Sequence, residues 1–406
     1  MRLYEHQQDG LSRLQNYNSC ALYWDMGLGK TYAGLCKALE VGDRILIVSP
    51  LSVIPQWENA VKSCGISIFN HRGKRQPKNE RIGIINYDLI WRKSPIDFYE
   101  YDTIIFDESQ NLGNDKNKRT KWILKNLSDR NIILLSGTPD GGKYEKLYPQ
   151  LKLLDPSLKK REFYDNYIET TLIEYVAGIR SRVITGYKNI DELKRYMRGL
   201  GCDFLKTSDC INLPAQNDIT INVSMTSDYR KFQRDLVLEV QDKFYVGDSV
   251  MQELVNLRKL ATAGKKTAMI ELLTSTDKPL IVFYNFNDEL ELLTGWCAVA
   301  DKNYYVVNGQ MKHVEGWEAD PQGVLLVQYQ AGASGLNLQY ADTVIYLSLP
   351  YSSMLFEQSK KRIHRLGQQS PCYYYYMIMD GSIDKNILDT LKKRKDYADY
   401  LFINGR

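Results

Sequence analysis

Short, almost uninterrupted apolar runs recur along this chain, each closing in polar residues. Between them lie longer stretches with apolar positions three to four residues apart. Among the first 150 residues the runs are Arg44-Ile-Leu-Ile-Val-Ser-Pro50, Ile82-Gly-Ile-Ile-Asn-Tyr87, Thr103-Ile-Ile-Phe-Asp107 and Asn131-Ile-Ile-Leu-Leu-Ser136. A second series comprises Pro279-Leu-Ile-Val-Phe-Tyr284, Tyr304-Tyr-Val-Val307, Val324-Leu-Leu-Val-Gln328 and Thr343-Val-Ile-Tyr-Leu347. Runs that are apolar on both faces predict strands of a parallel sheet covered by helices, an α/β architecture in which ligands gather at the polar strand ends. Two such lobes are expected, over residues 1–150 and 276–406, separated by a helical, charged section over 151–275. In that section Asn189-Ile-Asp-Glu-Leu-Lys-Arg-Tyr-Met-Arg198 and Val250-Met-Gln-Glu-Leu-Val-Asn-Leu-Arg-Lys-Leu260 have the spacing of amphipathic helices. Near the C-terminus, Tyr373 to Tyr376 form a run of tyrosines inside a β-favouring stretch that ends at Asp380-Gly381. It reads as a core strand rather than as a platform for stacked bases.

Length and composition narrow the class. A chain of 406 residues can bury two or three ordinary cores, and 44% hydrophobic with 25% charged residues is a globular composition. No apolar run reaches the roughly 18 residues of a membrane span, and the first residues lack a signal-peptide core. A cytoplasmic protein without a secretion signal is therefore expected. A net charge of +4 is too mild to establish nucleic-acid binding by itself. None of the seven cysteines forms a Cys-x-x-Cys pair, which predicts reduced, mostly buried thiols rather than structural zinc. The basic cluster Lys392-Lys-Arg-Lys395 is explained equally by a solvated helix face and by a DNA contact.

Chemistry enters with Met26-Gly27-Leu-Gly29-Lys30-Thr31, a glycine-bearing turn ahead of a helix. Glycines at 27 and 29 let backbone N–H groups point at phosphate oxygens; Lys30 would then pair with the β- and γ-phosphates and Thr31 would ligate Mg²⁺. Trp24 stands where the full pattern asks for glycine. Asp107-Glu108-Ser109-Gln110 closes a predicted strand. Alone this would be a solvated turn. After a phosphate loop, and before Ser136-Gly-Thr138-Pro139, it reads as a Mg²⁺-holding carboxylate followed by a residue that orients or deprotonates water. Far downstream, Gln358-Ser-Lys-Lys-Arg362-Ile-His-Arg365-Leu-Gly367-Gln368 places two arginines three apart, which on a helix share one face.

Taken in order, these segments resemble the Swi/Snf ATPases of helicase superfamily two. The Gln358–Gln368 stretch is similar to motif VI of that family, and Gln330-Ala-Gly-Ala-Ser334-Gly335-Leu-Asn337 to motif V. Leu3-Tyr-Glu-His6-Gln7 resembles the family's adenine-reading Q motif. Linking segments also match, among them Glu145-Lys-Leu-Tyr-Pro-Gln-Leu-Lys-Leu-Leu-Asp-Pro156, Asn256-Leu-Arg258-Lys-Leu260 and Asp380-Gly-Ser-Ile-Asp384. The departures are Trp24-Asp25 before the phosphate loop and Gln110 in place of histidine. The resemblance implies two RecA-like lobes facing one nucleotide. ATP and Mg²⁺ would be held by His6, Gln7, Gly27, Gly29, Lys30, Thr31, Asp107, Gly335 and Gln358, with Arg362 and Arg365 as arginine fingers. It also implies a nucleic-acid track along Asn86, Tyr87, Ser136, Thr138, Tyr284, Asn285 and Ser334. The function it implies is ATP-driven translocation on duplex DNA, without reading sequence, by a stand-alone bacterial or viral member. A strand-separating DNA or RNA helicase and a non-hydrolysing DNA-binding scaffold remain as alternatives. Intact Lys30, Asp107, Glu108, Arg362 and Arg365 argue against the scaffold.

Overall fold

The computed structural model describes residues 3–71, 80–92, 100–174, 180–210, 212–240, 243–247, 250–311, 314–332, 336 and 338–403. It divides into two compact units, Met1–Asn212 with Arg394–Arg406, and Leu213–Lys393.

The first unit is built on β1 (Cys20–Trp24), β2 (Ile45–Ser49), β3 (Ile68–Asn70), β4 (Ile82–Asn86), β5 (Thr103–Asp107) and β6 (Asn131–Leu135). An antiparallel hairpin follows, β7 (Ile168–Glu174) with β8 (Arg180–Tyr187), and then β9 (Cys202–Leu205). The seven-stranded sheet has the order β3-β4-β2-β5-β6-β1-β9, with parallel ladders throughout. Alternation along β1 shows why these runs are apolar without interruption. Ala21 and Tyr23 enter the core on one face, while Cys20, Leu22 and Trp24 enter the core on the other. A strand buried on both faces has no solvent side on which to carry polar residues.

The second unit continues with β10 (Gln216–Val223), the hairpin β11 (Val237–Val240) and β12 (Lys243–Val246), β13 (Leu280–Tyr284), β14 (Tyr304–Val307), β15 (Val324–Gln328), β16 (Thr343–Tyr346) and β17 (Cys372–Met379). Its six-stranded parallel sheet runs β10-β17-β16-β13-β15-β14. The tyrosine run is an interior strand, as its β-favouring composition predicted. Tyr374 and Tyr376 are buried and stack on Tyr346, with ring centroids 6.4 Å and 5.2 Å away.

The two α/β parallel-sheet lobes are therefore present. The section expected to be a helical insertion is shared between them. Helices Ile190–Gly199 and Val250–Ala263 form where their spacing placed them. The same section also supplies β9 to the edge of the first sheet and β10 to the edge of the second. Strands at sheet edges pair on one side only; β10, eight residues long, alternates exposed and half-buried positions and so lacks the uninterrupted apolar run that marks interior strands. All seven cysteines are thiols outside any disulfide, four buried and three half-buried. Among the described residues no helix is long and apolar enough to cross a membrane.

Candidate nucleotide site

In the first unit the turn after β1 carries Gly27 at φ +88° and Gly29 at φ +71°, and Gly29 caps the helix Lys30–Val41. Both dihedrals lie in the left-handed region that only glycine enters without strain. Space is equally restrictive, since a Cβ on Gly29 would lie 2.2 Å from the Gln7 side-chain nitrogen. The turn thus brings the amide-rich start of a 12-residue helix to the end of β1. That end of a helix favours anions. Lys30 Nζ donates to the carbonyls of Trp24 (2.8 Å) and Asp25 (3.0 Å), folding the ammonium over the turn. Thr31 is half-buried in the helix's first turn.

Gln7 is buried, and its amide is fully engaged by the protein. Nε2 donates to Leu28 O (3.0 Å) and Gly29 O (3.3 Å), while Oε1 accepts from the Tyr4 N–H (2.9 Å). The glutamine expected to read an adenine edge therefore braces the phosphate loop in this structure. His6 contacts Leu28 O at 3.2 Å through Nε2 and stacks on Tyr4.

Asp107, the last residue of β5, is buried. Its Oδ2 accepts from the indole N–H of Trp57 at 2.7 Å, and its Oδ1 from the Glu108 N–H at 2.9 Å. Burial, reinforced by the neighbouring Glu108 charge, pushes the carboxyl up to about 7, while the Trp57 hydrogen bond and the Lys30 charge pull it down. Lys30 begins the helix that follows β1 and Asp107 ends β5, two strands of one parallel sheet with β6 between them. Glu108 has φ +51°, a left-handed conformation costing a non-glycine residue about 1–3 kcal/mol. It is held there by Asn111, whose N–H and Nδ2 both donate to the Glu108 carbonyl at 2.9 Å.

Gln110, standing where histidine was expected, links two motifs. Its Nε2 donates to Glu108 Oε2 (2.6 Å), and its Oε1 accepts from Ser136 Oγ (2.6 Å), which in turn accepts from the Thr138 N–H (3.0 Å). Amide and hydroxyl form an uncharged relay from the Glu108 carboxylate into Ser136–Thr138. Trp24 also has a use: its indole N–H donates to Asp203 Oδ2 at 2.7 Å, and Asp203 is clamped by Arg13 at 2.7 and 2.9 Å. The Q-motif helix Glu5–Arg13, the phosphate-loop strand β1 and the edge strand β9 are thereby tied together.

Several of the side chains expected along a nucleic-acid track are buried in this structure. Tyr87 lies in the core with its hydroxyl donating to Asp107 O at 2.8 Å, and Tyr284 is fully buried. Ser136 is buried in the relay and Thr138 is nearly so. Asn86 Oδ1 accepts from the Leu89 N–H (2.8 Å), and Asn285 Nδ2 donates to Ser348 Oγ (2.8 Å). Asn86 and Asn285, both half-buried, thus close the loops that begin at these strand ends. Ser334 and Gly335 lie outside the described residues.

In the second unit the helix Ser353–Lys360 carries Gln358, which is buried. The expectation that Arg362 and Arg365 share a helix face is not met. The helix ends at Lys360, and both arginines lie in the turns that follow. Arg362 is buried and donates through Nη1 to Leu336 O at 3.4 Å. Arg365 is half-buried, and burial lowers its guanidinium pKa from the ordinary value. Gly367 and Gln368 explain how such a turn is held. Gly367 has φ +100°, and Gln368 Nε2 donates to the carbonyls of Gln339, Ala341 and Ile363. His364 reaches Pro214 O at 2.8 Å. The stitching residues Trp57 and Asp203 carry no signal of their own in the sequence, because each is defined by a partner distant along the chain.

The SNF2-related domain matches this chain over residues 6–275, and the helicase conserved C-terminal domain matches it over residues 264–367. The chain belongs to the SNF2-related family. It is 23% identical to the probable ATP-dependent DNA helicase CHR23 of Arabidopsis thaliana, over 91% of this chain and 40% of that protein. It is 24% identical to the SWI/SNF-related matrix-associated actin-dependent regulator of chromatin subfamily A-like protein 1 of Xenopus tropicalis, over 96% of this chain and 44% of that protein. The chain thus spans less than half the length of these relatives. A solved structure, the Sulfolobus solfataricus SWI2/SNF2 ATPase core in complex with dsDNA, aligns over 100% of this chain and 94% of that one. That alignment has 18% identity and a TM-score of 0.45.

Proposed function

We propose that this chain hydrolyses ATP in response to duplex DNA and uses the cycle to move along the duplex without reading its sequence. The observation that carries the reading is the convergence of Lys30, Asp107 and Glu108 at the strand ends of one parallel sheet, with Gln110 relaying Glu108 to Ser136. Membership of the SNF2-related family supports it.

The residues divide the work as follows. Amides of the Gly27–Thr31 turn and the Lys30 ammonium receive the phosphates, the ammonium exchanging its bonds to Trp24 and Asp25 for phosphate oxygens. Among the described residues there is no cluster of three or more His, Cys, Asp or Glu side chains that could hold a metal. Mg²⁺ therefore fits as a phosphate-borne ion held by Thr31 and Asp107; this suits its preference for one or two carboxylates together with substrate oxygens and water. When bound it neutralises phosphate charge. Glu108 orients the attacking water, and Arg362 and Arg365 stabilise charge on the transferring phosphoryl group. Gln7 and His6 brace the phosphate loop. A cytoplasmic location, alongside the DNA, goes with this reading.

The test compares ATP turnover of the purified chain with duplex DNA, single-stranded DNA and RNA, alongside triplex- and duplex-displacement assays. Duplex should stimulate best, and the third strand should be displaced while the duplex stays paired. Log affinity should fall against log salt at about −0.9 per phosphate neutralised, irrespective of sequence. Stimulation by single strands or RNA with duplex inert would replace this reading with a strand-separating helicase.

A further inference from the structure

Gln150 lies in none of the segments that carry the chemistry, yet it touches three of them. It is fully buried in the short helix Tyr148–Leu154, and every hydrogen-bonding position of its amide is filled. Oε1 accepts from Ser109 Oγ (2.7 Å) and Tyr23 Oη (3.3 Å); Nε2 donates to Pro139 O (2.7 Å) and Lys146 O (3.2 Å). A side-chain amide has two acceptor lone pairs and two donor hydrogens, so this is complete satisfaction at a dry site. An apolar residue of similar size would pack there without any polar obligation. The amide is the group whose presence needs a reason.

Its partners supply that reason. Ser109 follows Glu108, whose left-handed backbone persists only because neighbouring groups hold it. Pro139 ends the Ser136–Pro139 segment, whose serine is already connected to Glu108 through Gln110. Tyr23 sits on β1, immediately before the phosphate-loop turn. Two routes therefore join the catalytic carboxylate to Ser136–Pro139. One runs through the Gln110 side chain and meets the carboxylate itself. The other runs through Gln150 and fixes the backbone beside it.

We infer that Gln150 is a positioning residue for Glu108, locking the Asp107–Ser109 backbone to the Ser136–Pro139 segment so that a shift in either is transmitted to the carboxylate. This rests on the proposed ATPase reading. Gln150 acts through Ser109 and Pro139 and touches no substrate.

The near-isosteric Gln150→Met removes all four hydrogen bonds while keeping the volume. Its kcat should fall about 10- to 100-fold, the range expected when a reacting group is displaced by about 1 Å, with KM for ATP and ADP affinity within about twofold of the parent. Ser109→Ala should reproduce part of the loss, and Gln150→Met added to it should cost far less than in the parent. Amide hydrogen exchange should quicken together in the Ser109–Leu112 and Ser136–Pro139 segments of the nucleotide-free variant, and not in the helix Lys30–Val41. Parental kcat in Gln150→Met, strictly additive losses, or exchange unchanged in both segments would each overturn the inference. If the parent chain fails to hydrolyse ATP with any nucleic acid, the functional reading falls. The exchange result then still decides whether Gln150 locks the two segments together.

Discussion

Replacing Trp57 by phenylalanine should move the pH dependence of ATP turnover by a predictable amount. The Trp57 indole, wholly buried on the helix Ile54–Ser63, donates to Asp107 Oδ2 at 2.7 Å. This bond favours the ionised carboxyl against a burial that pushes it up to about 7. A hydrogen bond to a charged group contributes about 1.5–3 kcal/mol, which at 1.36 kcal/mol per pH unit corresponds to roughly one to two units. Phenylalanine keeps most of the packing and removes the donor, so the acid limb should move to higher pH by roughly one to two pH units. On the acid side of that limb kcat/KM should fall below the parent's by up to roughly 10- to 100-fold. On the alkaline side of the limb the variant should recover towards the parent. Excess Mg²⁺ should oppose the acid-side loss, because the cation favours the carboxylate it binds. The assay is a pH–rate profile of duplex-stimulated ATPase from pH 5.5 to 9.5, with circular dichroism to confirm folding. An acid limb at the same pH in both proteins would refute the assignment of Asp107 as the ionising, metal-holding group. A uniform drop at every pH would refute it equally.

Asp107 also has a stability consequence. A carboxyl raised in the folded state from an ordinary value near 4 makes the fold less stable as pH rises from about 4 through 7. Asp107→Asn should therefore raise the Tm of nucleotide-free protein progressively over that window, by an amount equivalent to a few kcal/mol at most; a Tm difference independent of pH would count against the shift. Lys30→Ala should abolish ATPase, and Glu108→Gln should bind ATP yet fail to turn it over; near-parental turnover in Glu108→Gln rules out its role. Arg365→Ala should lose on the order of 10³-fold in rate while keeping most nucleotide affinity, read by single-turnover kinetics and nucleotide titration. Lys265 and Asp384 form a wholly buried ion pair at 2.7 Å in the second unit, so Lys265→Met should destabilise that unit by about 3–5 kcal/mol in denaturant unfolding, and a loss below about 1 kcal/mol would show the pair to be dispensable.

The sequence by itself determined most of the interior strands and the two-sheet α/β class, and it singled out the chemistry-bearing motifs. The reasons are local: a strand buried on both faces must be apolar at every position, and a phosphate turn must have glycine where φ is positive. Gly27, Gly29, Lys30, Asp107 and Glu108 were legible because each is fixed by its neighbours in the chain. Only the tertiary structure decided the rest. It placed β9 and β10 at sheet edges, pairing each with a strand distant along the chain. It put Arg362 and Arg365 in turns beyond the helix, since Gln368 gathers carbonyls from a segment far from it in sequence. It buried Tyr87 and Tyr284, because a polar letter at a strand end says nothing about which way its side chain turns. Finally, it assigned partners to Trp57, Gln110 and Gln150, whose hydrogen bonds reach distant residues that only the packed sheet brings together.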